Sequence, residues 1–511
     1  MEPTWPADPQ VTERAPYPVS RKIGLTAGLV VCFVVLLLPA PEGLGLAGWR
    51  TVAVGALMAI WWISEAIPIS ATALVPLVAF PILGIASIGE TASPYANPLI
   101  FLFLAGFLIA IAMQRWGLHR RLALRIISLI GTSPRHIVAG FLISSAALSM
   151  WVSNTATAVM MLPIGMSVAL LSRRDPGATR SIAESNFEVA LMLSIAYGAT
   201  IGGLATIIGT PPNALMAAYL NETFNYDIGF ARWMLVGVPL VLVALPICYA
   251  VLTRIAFPIR MKELPGGGEL IRDALEKLGK MNRGERLTSI VFAVVVVLWV
   301  SRPLYASAVP GISDTGIGMA GALLLFLLPV DLDKSEFVLS WDAAEELPWG
   351  VLLLFGGGLS LAAAINATGL AAWIGGAFAG ISTWPVIFIV VAVVVVVLFL
   401  TELTSNLATA AAFLPIMASV AIGIGQSPLL LVIPAALAAS GAFMLPVATP
   451  PNAIVYGSGF LRIGHMTRAG LLLNLLFVAL ITGVMYLIAI NVFDITLGSN
   501  AGWMMSPGIA E

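Results

Sequence analysis

Charge is scarce in this chain. Only 25 of its 511 residues are Lys or Arg and 26 are Asp or Glu, 10% together, where soluble domains carry about 25%. That excludes an ordinary water-soluble globule, and the net charge of −1 points to no nucleic-acid partner. Cysteine is nearly absent. Cys32 and Cys248 both lie in apolar runs, so the sequence carries neither a disulfide framework nor a thiolate metal site, and both are expected to be small core residues. The three histidines, His119, His136 and His465, fall in segments expected to be interfacial loops. None then stands at membrane depth to bind a metal or activate a nucleophile, and an enzyme is disfavoured.

What the chain has in abundance is hydrocarbon. It is 59% apolar, with a mean hydropathy of +0.99, and runs of the ~20 residues needed to cross a bilayer recur along its length. These properties describe an integral membrane protein. Residues 1–22 read as a polar cytoplasmic tail, and the apolar run at 24–40 after Arg21-Lys22 reads as a retained span rather than a cleaved signal. Oriented by the Lys/Arg bias of short loops, a first half (23–256) continues with spans at 50–66, from Pro68 to 85, and at 97–115. Arg115, His119, Arg120, Arg121 and Arg125 then form a cationic, amphipathic segment expected along the cytoplasmic interface. A hairpin at 136–172, a broken helix within 188–220 and a span at 232–256 complete this half. Residues 257–288 are the expected cytoplasmic linker. The second half (289–495) has two spans up to 330, an acidic loop at 331–346 and a span at 349–367. It continues with a hairpin at 383–424, a broken helix at 430–460 and a last span at 470–493, leaving the tail 496–511 outside. The expectation is an all-α polytopic protein of about eleven transmembrane helices plus two re-entrant helical hairpins, built as an inverted repeat.

The repeat is visible directly. Residues 153–164 read S-N-T-A-T-A-V-M-M-L-P-I and residues 405–416 read S-N-L-A-T-A-A-A-F-L-P-I, identical at eight of twelve positions and 252 residues apart. The same separation pairs Ser149 with Thr401 and Trp116-Gly117-Leu118 with Thr368-Gly369-Leu370. Gly209-Thr210-Pro211-Pro212-Asn213 pairs with Ala448-Thr449-Pro450-Pro451-Asn452 at a separation of 239. The segment 369–380, counterpart of the cationic one, carries no charge, as an inverted repeat with one copy facing the cytoplasm requires.

Irregular backbone is tolerated at membrane depth only where it lines a cavity or is buried in protein. Two hairpin tips and two broken helices therefore imply one shared polar site. Helix N-termini there attract an anion, exposed carbonyls attract a small hard cation, and Ser153, Asn154, Thr155, Thr210, Ser405, Asn406 and Thr449 add neutral hydrogen bonds. A single Ser-Asn-Thr in a membrane helix usually joins neighbouring helices; its duplication beside matched Pro-Pro-Asn breaks favours binding. No Arg or Lys falls in these motifs, so dipoles and cations must hold the anion. Glu402 is acidic within an apolar run, but its repeat mate is Met150, so the paired site does not require it. Glu65 sits at a span end, where a cap or an ion pair is expected.

With these motifs, and with the early stretch Trp61-Trp62 to Glu65-Ala66-Ile67-Pro68, residues 50–490 resemble the divalent anion/sodium symporter family. Its members carry a Ser-Asn-Thr hairpin tip and a Thr/Ser-Pro-Pro-Asn break in each half. The resemblance implies a homodimer in the cell membrane with scaffold and transport domains that work as an elevator. It implies symport of a small di- or tricarboxylate with co-transported sodium ions. Carried over, one sodium site uses Ser149, Ser153, Asn154 and Gly209, and the other uses Thr401, Ser405, Asn406 and Ala448. The anion is held by Ser153, Asn154, Thr155, Ser405 and Asn406, with Leu407, Thr210, Thr449 and Pro450 adjacent. Leu407 departs from the pattern, standing where Thr155 has a hydroxyl. Alternatives are a sodium-driven sulfate transporter, a sodium-independent dicarboxylate exchanger, a sodium/proton antiporter and a passive anion channel.

Overall fold

The structure is a computed structural model describing residues 19–172 and 182–498. Residues 1–18, 173–181 (with the basic pair Arg173-Arg174 that follows the first expected hairpin) and 499–511 lie outside the described residues. The chain opens with α1 (Val19–Leu37) and α2 (Leu46–Ser64), packed side by side. Glu65 caps α2 in the left-handed region (φ 48°), and Pro68 starts a new direction. The third span expected here is fragmented into α3 (Ile69–Thr72) and α4 (Val75–Ile82), followed by α5 (Ile88–Ala92). Prolines at 68, 76 and 81 in a short stretch account for this, since each removes a backbone donor.

Next come α6 (Pro98–Arg115), the amphipathic α7 (Leu118–Ile130), and the first hairpin, α8 (Pro134–Ser149) and α9 (Asn154–Leu171). The first broken helix is α10 (Ile182–Gly203) and α11 (Pro211–Phe224). α12 (Phe230–Ala250) continues as a π-helical turn to Ala256. The expected linker is partly helical: α13 (Gly267–Leu278) packs on α7 ahead of α14 (Arg283–Tyr305). Arg121 explains the docking. Instead of facing the interface with Arg120 and Arg125, it is buried, pairing with Glu285 through Nε (2.5 Å) and Nη2 (3.0 Å) and donating to the Gly279 carbonyl (2.8 Å).

α15 (Asp314–Leu327) leads into the expected acidic loop, which is folded. A two-stranded antiparallel ribbon, β1 (Pro329–Asp331) and β2 (Glu336–Phe337), precedes α16 (Trp341–Glu345). Then follow α17 (Trp349–Ala367), α18 (Leu370–Phe378), and the second hairpin, α19 (Val386–Thr401) and α20 (Asn406–Gly423). The second broken helix is α21 (Leu429–Ala439) and α22 (Pro450–Tyr456); α23 (Ile463–Val484) and α24 (Ile490–Val492) close the described chain. Among the described residues, eight helices are long and apolar enough to cross a membrane.

Both breaks fall just before the paired prolines. Pro211-Pro212 and Pro450-Pro451 open α11 and α22, where the missing N–H groups would have had no helical partner anyway. The core sits around these elements, with every residue of α21 buried. α10 packs on α8 through glycine: a Cβ on Gly202 would lie 2.2 Å from the Ala146 carbonyl oxygen. Cys248 is buried as expected, whereas Cys32 is only half-buried on α1. The histidines sit in the first turns of α7, α8 and α23 rather than in loops.

Candidate functional site

Each hairpin tip is a short irregular link between two helices, with a serine capping the second. Ser153 Oγ accepts the Ala156 N–H at 3.3 Å, which satisfies one of the free amides of the first turn of α9. Ser405 stands in the same position before α20. The asparagines of the Pro-Pro-Asn motifs sew the breaks together. Asn213 Nδ2 donates to the Thr206 carbonyl at 2.9 Å and Asn452 Nδ2 to the Leu445 carbonyl at 3.0 Å. Both are fully buried, and each supplies a donor to a carbonyl that the interrupted helix leaves without one.

The tips and breaks meet at one cavity of about 1230 Å³. The first half contributes Ser153, Asn154, Thr155, Gly209, Thr210 and Pro211; the second contributes Ser405, Asn406, Leu407, Ala448, Thr449 and Pro450. The first residues of α9, α11, α20 and α22 all line it, so four helix N-termini present partial positive charge to the same space. Arg21 is the one basic side chain among the described lining residues. Glu65, Gln114 and Glu346 also line the cavity, and Arg21 pairs with Glu65 at 2.7 Å.

Ser149 and Thr401 do not line the cavity. Both are fully buried, behind the two asparagines. One terminal atom of the Asn154 amide lies 2.5 Å from Ser149 Oγ, 3.2 Å from the Gly209 carbonyl oxygen and 3.3 Å from the Ala199 carbonyl oxygen. With nitrogen in that position its two N–H groups face all three acceptors; with oxygen there, four oxygens converge, an arrangement a small hard cation satisfies. The second half repeats the pattern. Thr401 Oγ1 lies 2.8 Å from Asn406 Oδ1 and 2.9 Å from the Ala439 carbonyl oxygen, so one hydroxyl proton faces two acceptors. Gly209 is required where the second copy accepts Ala448, because a Cβ at 209 would lie 2.4 Å from the Gly203 carbonyl oxygen.

The third tip positions differ as the sequence implies. Thr155 is exposed in the cavity, while Leu407 touches it with only 6% of its surface exposed. Four features escaped sequence reasoning. They are the Ala199 and Ala439 carbonyls, the stitching role of Asn213 and Asn452, the contact of Ser440 Oγ with Thr210 Oγ1 at 3.4 Å, and the partners of Glu402. The Pro-Pro-Asn repeat was the available signal for the asparagines; backbone carbonyls leave none in sequence.

The sequence profile described as "Sodium:sulfate symporter transmembrane region" matches residues 20–498. The chain belongs to that family. Within reach of the family's curated members, it is 43% identical over 488 residues to the "Sodium-dependent dicarboxylate transporter SdcS" of Staphylococcus saprophyticus, covering 94% of each chain. It is 42% identical over 479 residues to the Staphylococcus aureus protein of the same name, covering 93% of this chain and 92% of that one. Among solved structures, the YdaH transporter of Alcanivorax borkumensis matches with a TM-score of 0.56 at 13% identity, covering 86% of this chain and 98% of that one. MtrF of Neisseria gonorrhoeae matches with a TM-score of 0.55 at 15% identity, covering 95% and 98%. These two likenesses show a shared membrane-transporter fold.

Proposed function

We propose that the protein is a sodium-coupled symporter of a small dicarboxylate. The observation that carries this reading is the pair of matched clusters of hydroxyl, asparagine amide and backbone carbonyl groups, Ser149–Asn154–Gly209 and Thr401–Asn406, placed behind a cavity faced by four helix N-termini. Oxygen-only ligands suit sodium, and helix dipoles with neutral hydroxyls suit a dianion that no fixed cation neutralises. Sodium and the anion share Asn154 and Asn406, each amide facing a cluster behind and the cavity in front. Filling the clusters stiffens both tips and brings positive charge beside the anion, which couples the two ligands. The relatives' description as sodium-dependent dicarboxylate transporters supports the same substrate class.

The further reading is an elevator in the cell membrane. The hairpins and broken helices move as one body, in a homodimer, against a frame formed by α1–α6 and α14–α17. With the N-terminus in the cytoplasm, Arg21, Glu65 and Glu346 lie on the cytoplasmic side of the cavity, which on this reading opens inward.

Uptake of labelled succinate, citrate and sulfate into proteoliposomes, with and without a sodium gradient, tests the reading. Concentrative, sodium-dependent succinate uptake is expected. Flux that needs internal dicarboxylate but not sodium indicates an exchanger, preference for sulfate reassigns the substrate, and downhill flux alone indicates a channel.

A further inference from the structure

Glu402 is a buried charge in the second hairpin tip, where its repeat mate in the first is Met150. The Glu402 carboxylate is 3% exposed and lies one residue from Thr401 of the second oxygen cluster. Its Oε1 accepts the Phe443 N–H (2.7 Å), the Met444 N–H (2.9 Å) and Asn474 Nδ2 (2.8 Å). Its Oε2 accepts the N–H groups of Met444 and Leu445, each at 3.0 Å. Three consecutive amides wrapped around an anion form a nest. All four of these groups are donors, which is the environment of an ionised carboxylate and not of an acid with a proton to place.

The first half solves the same problem without charge. Its amides at Leu204 and Ala205 close backbone turns onto Ile201 (3.1 Å) and Gly202 (3.0 Å). Thr206 Oγ1 donates at 2.6 Å to the carbonyl of Met150, the residue in Glu402's place. The backbone that follows is then positioned differently in the two halves. In the second, the nest turns the amides of residues 443–445 onto Glu402, and the chain runs from there through the Ala448 N–H, bonded to the Leu445 carbonyl at 3.2 Å, into the site.

We propose that Glu402 is a positioning residue that makes the two cation sites unequal. It fixes the second break around a built-in anion, and its charge, held in a medium of low polarity, favours a cation beside Thr401 and Asn406. The second site therefore binds sodium more tightly than the first. The inference rests on the two-site reading above.

Equilibrium binding of radioactive sodium to the purified, substrate-free protein tests it. The wild type should show a tight and a weaker component. Thr401→Ala should remove the tight one, Ser149→Ala should leave it, and Glu402→Gln should weaken it by about tenfold or more. Asn474→Asp in the E402Q background, which returns a carboxylate to the cluster, should recover it; a merely structural Glu402 would not be rescued in sodium affinity. A folded E402Q protein with the tight component intact overturns the proposal. So does a tight component that S149A removes and T401A spares, a comparison that holds even if E402Q fails to fold. If neither S149A nor T401A alters sodium binding, the two-site reading itself fails.

Discussion

At the residue scale the account rests on two asparagines. Each amide faces a buried oxygen cluster on one side and the cavity on the other. Asn154→Ala or Asn406→Ala should abolish uptake while leaving a monodisperse, folded protein. Stranding buried partners costs about 1–3 kcal/mol, or roughly 5–150-fold in binding, so near-normal uptake by either variant would remove the site assignment. Leu407 sets a finer prediction. Leu407→Thr offers a hydroxyl worth about 0.5–1.5 kcal/mol to a carboxylate within reach. It also withdraws apolar surface from a side chain that is largely buried. Affinity measured across succinate, citrate and sulfate should rise about threefold to tenfold for whichever anion places a carboxylate there, and fall for those that do not. Equal shifts for all three would show that Leu407 does not select. The tip residues were legible because they repeat. Glu402 stood out in sequence as an acid in an apolar run, but its three amide partners and Asn474 were not legible. Nothing in a linear sequence says which backbone N–H groups a break leaves free.

At the element scale, close packing and one buried ion pair make the sharpest claims. A Cβ on Gly202 would collide with the Ala146 backbone, whereas one on Gly376 meets nothing within 4 Å. Gly202→Val should therefore separate α10 from α8 and lower the melting temperature sharply or abolish folding, overpacking costing about 1–3 kcal/mol or more. Gly376→Ala should be nearly silent in the same melt. Arg121→Ala leaves Glu285 buried without its partner, a change that costs about 3–5 kcal/mol, while Arg120→Ala removes an exposed charge and should cost little. Thermal melts of the purified pair decide this; equal stability of the two variants would contradict the buried docking of α7 on α13 and α14. Apolar length and matched breaks made the hairpins and broken helices readable, though the first broken helix, expected within 188–220, runs from Ile182 to Phe224. The fragmented α3–α4 region, the ribbon at 329–337 and α13 were not readable. These short elements owe their form to tertiary contacts, as Arg121 does its burial, and the positive charge of Arg121 had pointed outward.

At the scale of the whole molecule, the internal repeat places two related clusters, around Ser149–Asn154 and Thr401–Asn406, behind one cavity. The central claim is that two sodium ions and one dianion move together. A tenfold sodium gradient supplies about 1.4 kcal/mol per ion, so two coupled ions sustain an accumulation approaching about 100-fold, whereas one sustains about tenfold. Two sodium ions with one dianion also carry no net charge, so a stoichiometry of two leaves this limit insensitive to membrane voltage. The most direct measurement is the steady-state succinate ratio across proteoliposomes held at a tenfold sodium gradient, with the voltage clamped to zero by a potassium ionophore. The account predicts a ratio well above tenfold that collapses when a sodium ionophore is added. A ratio of one, or one unchanged when choline replaces sodium, would contradict it.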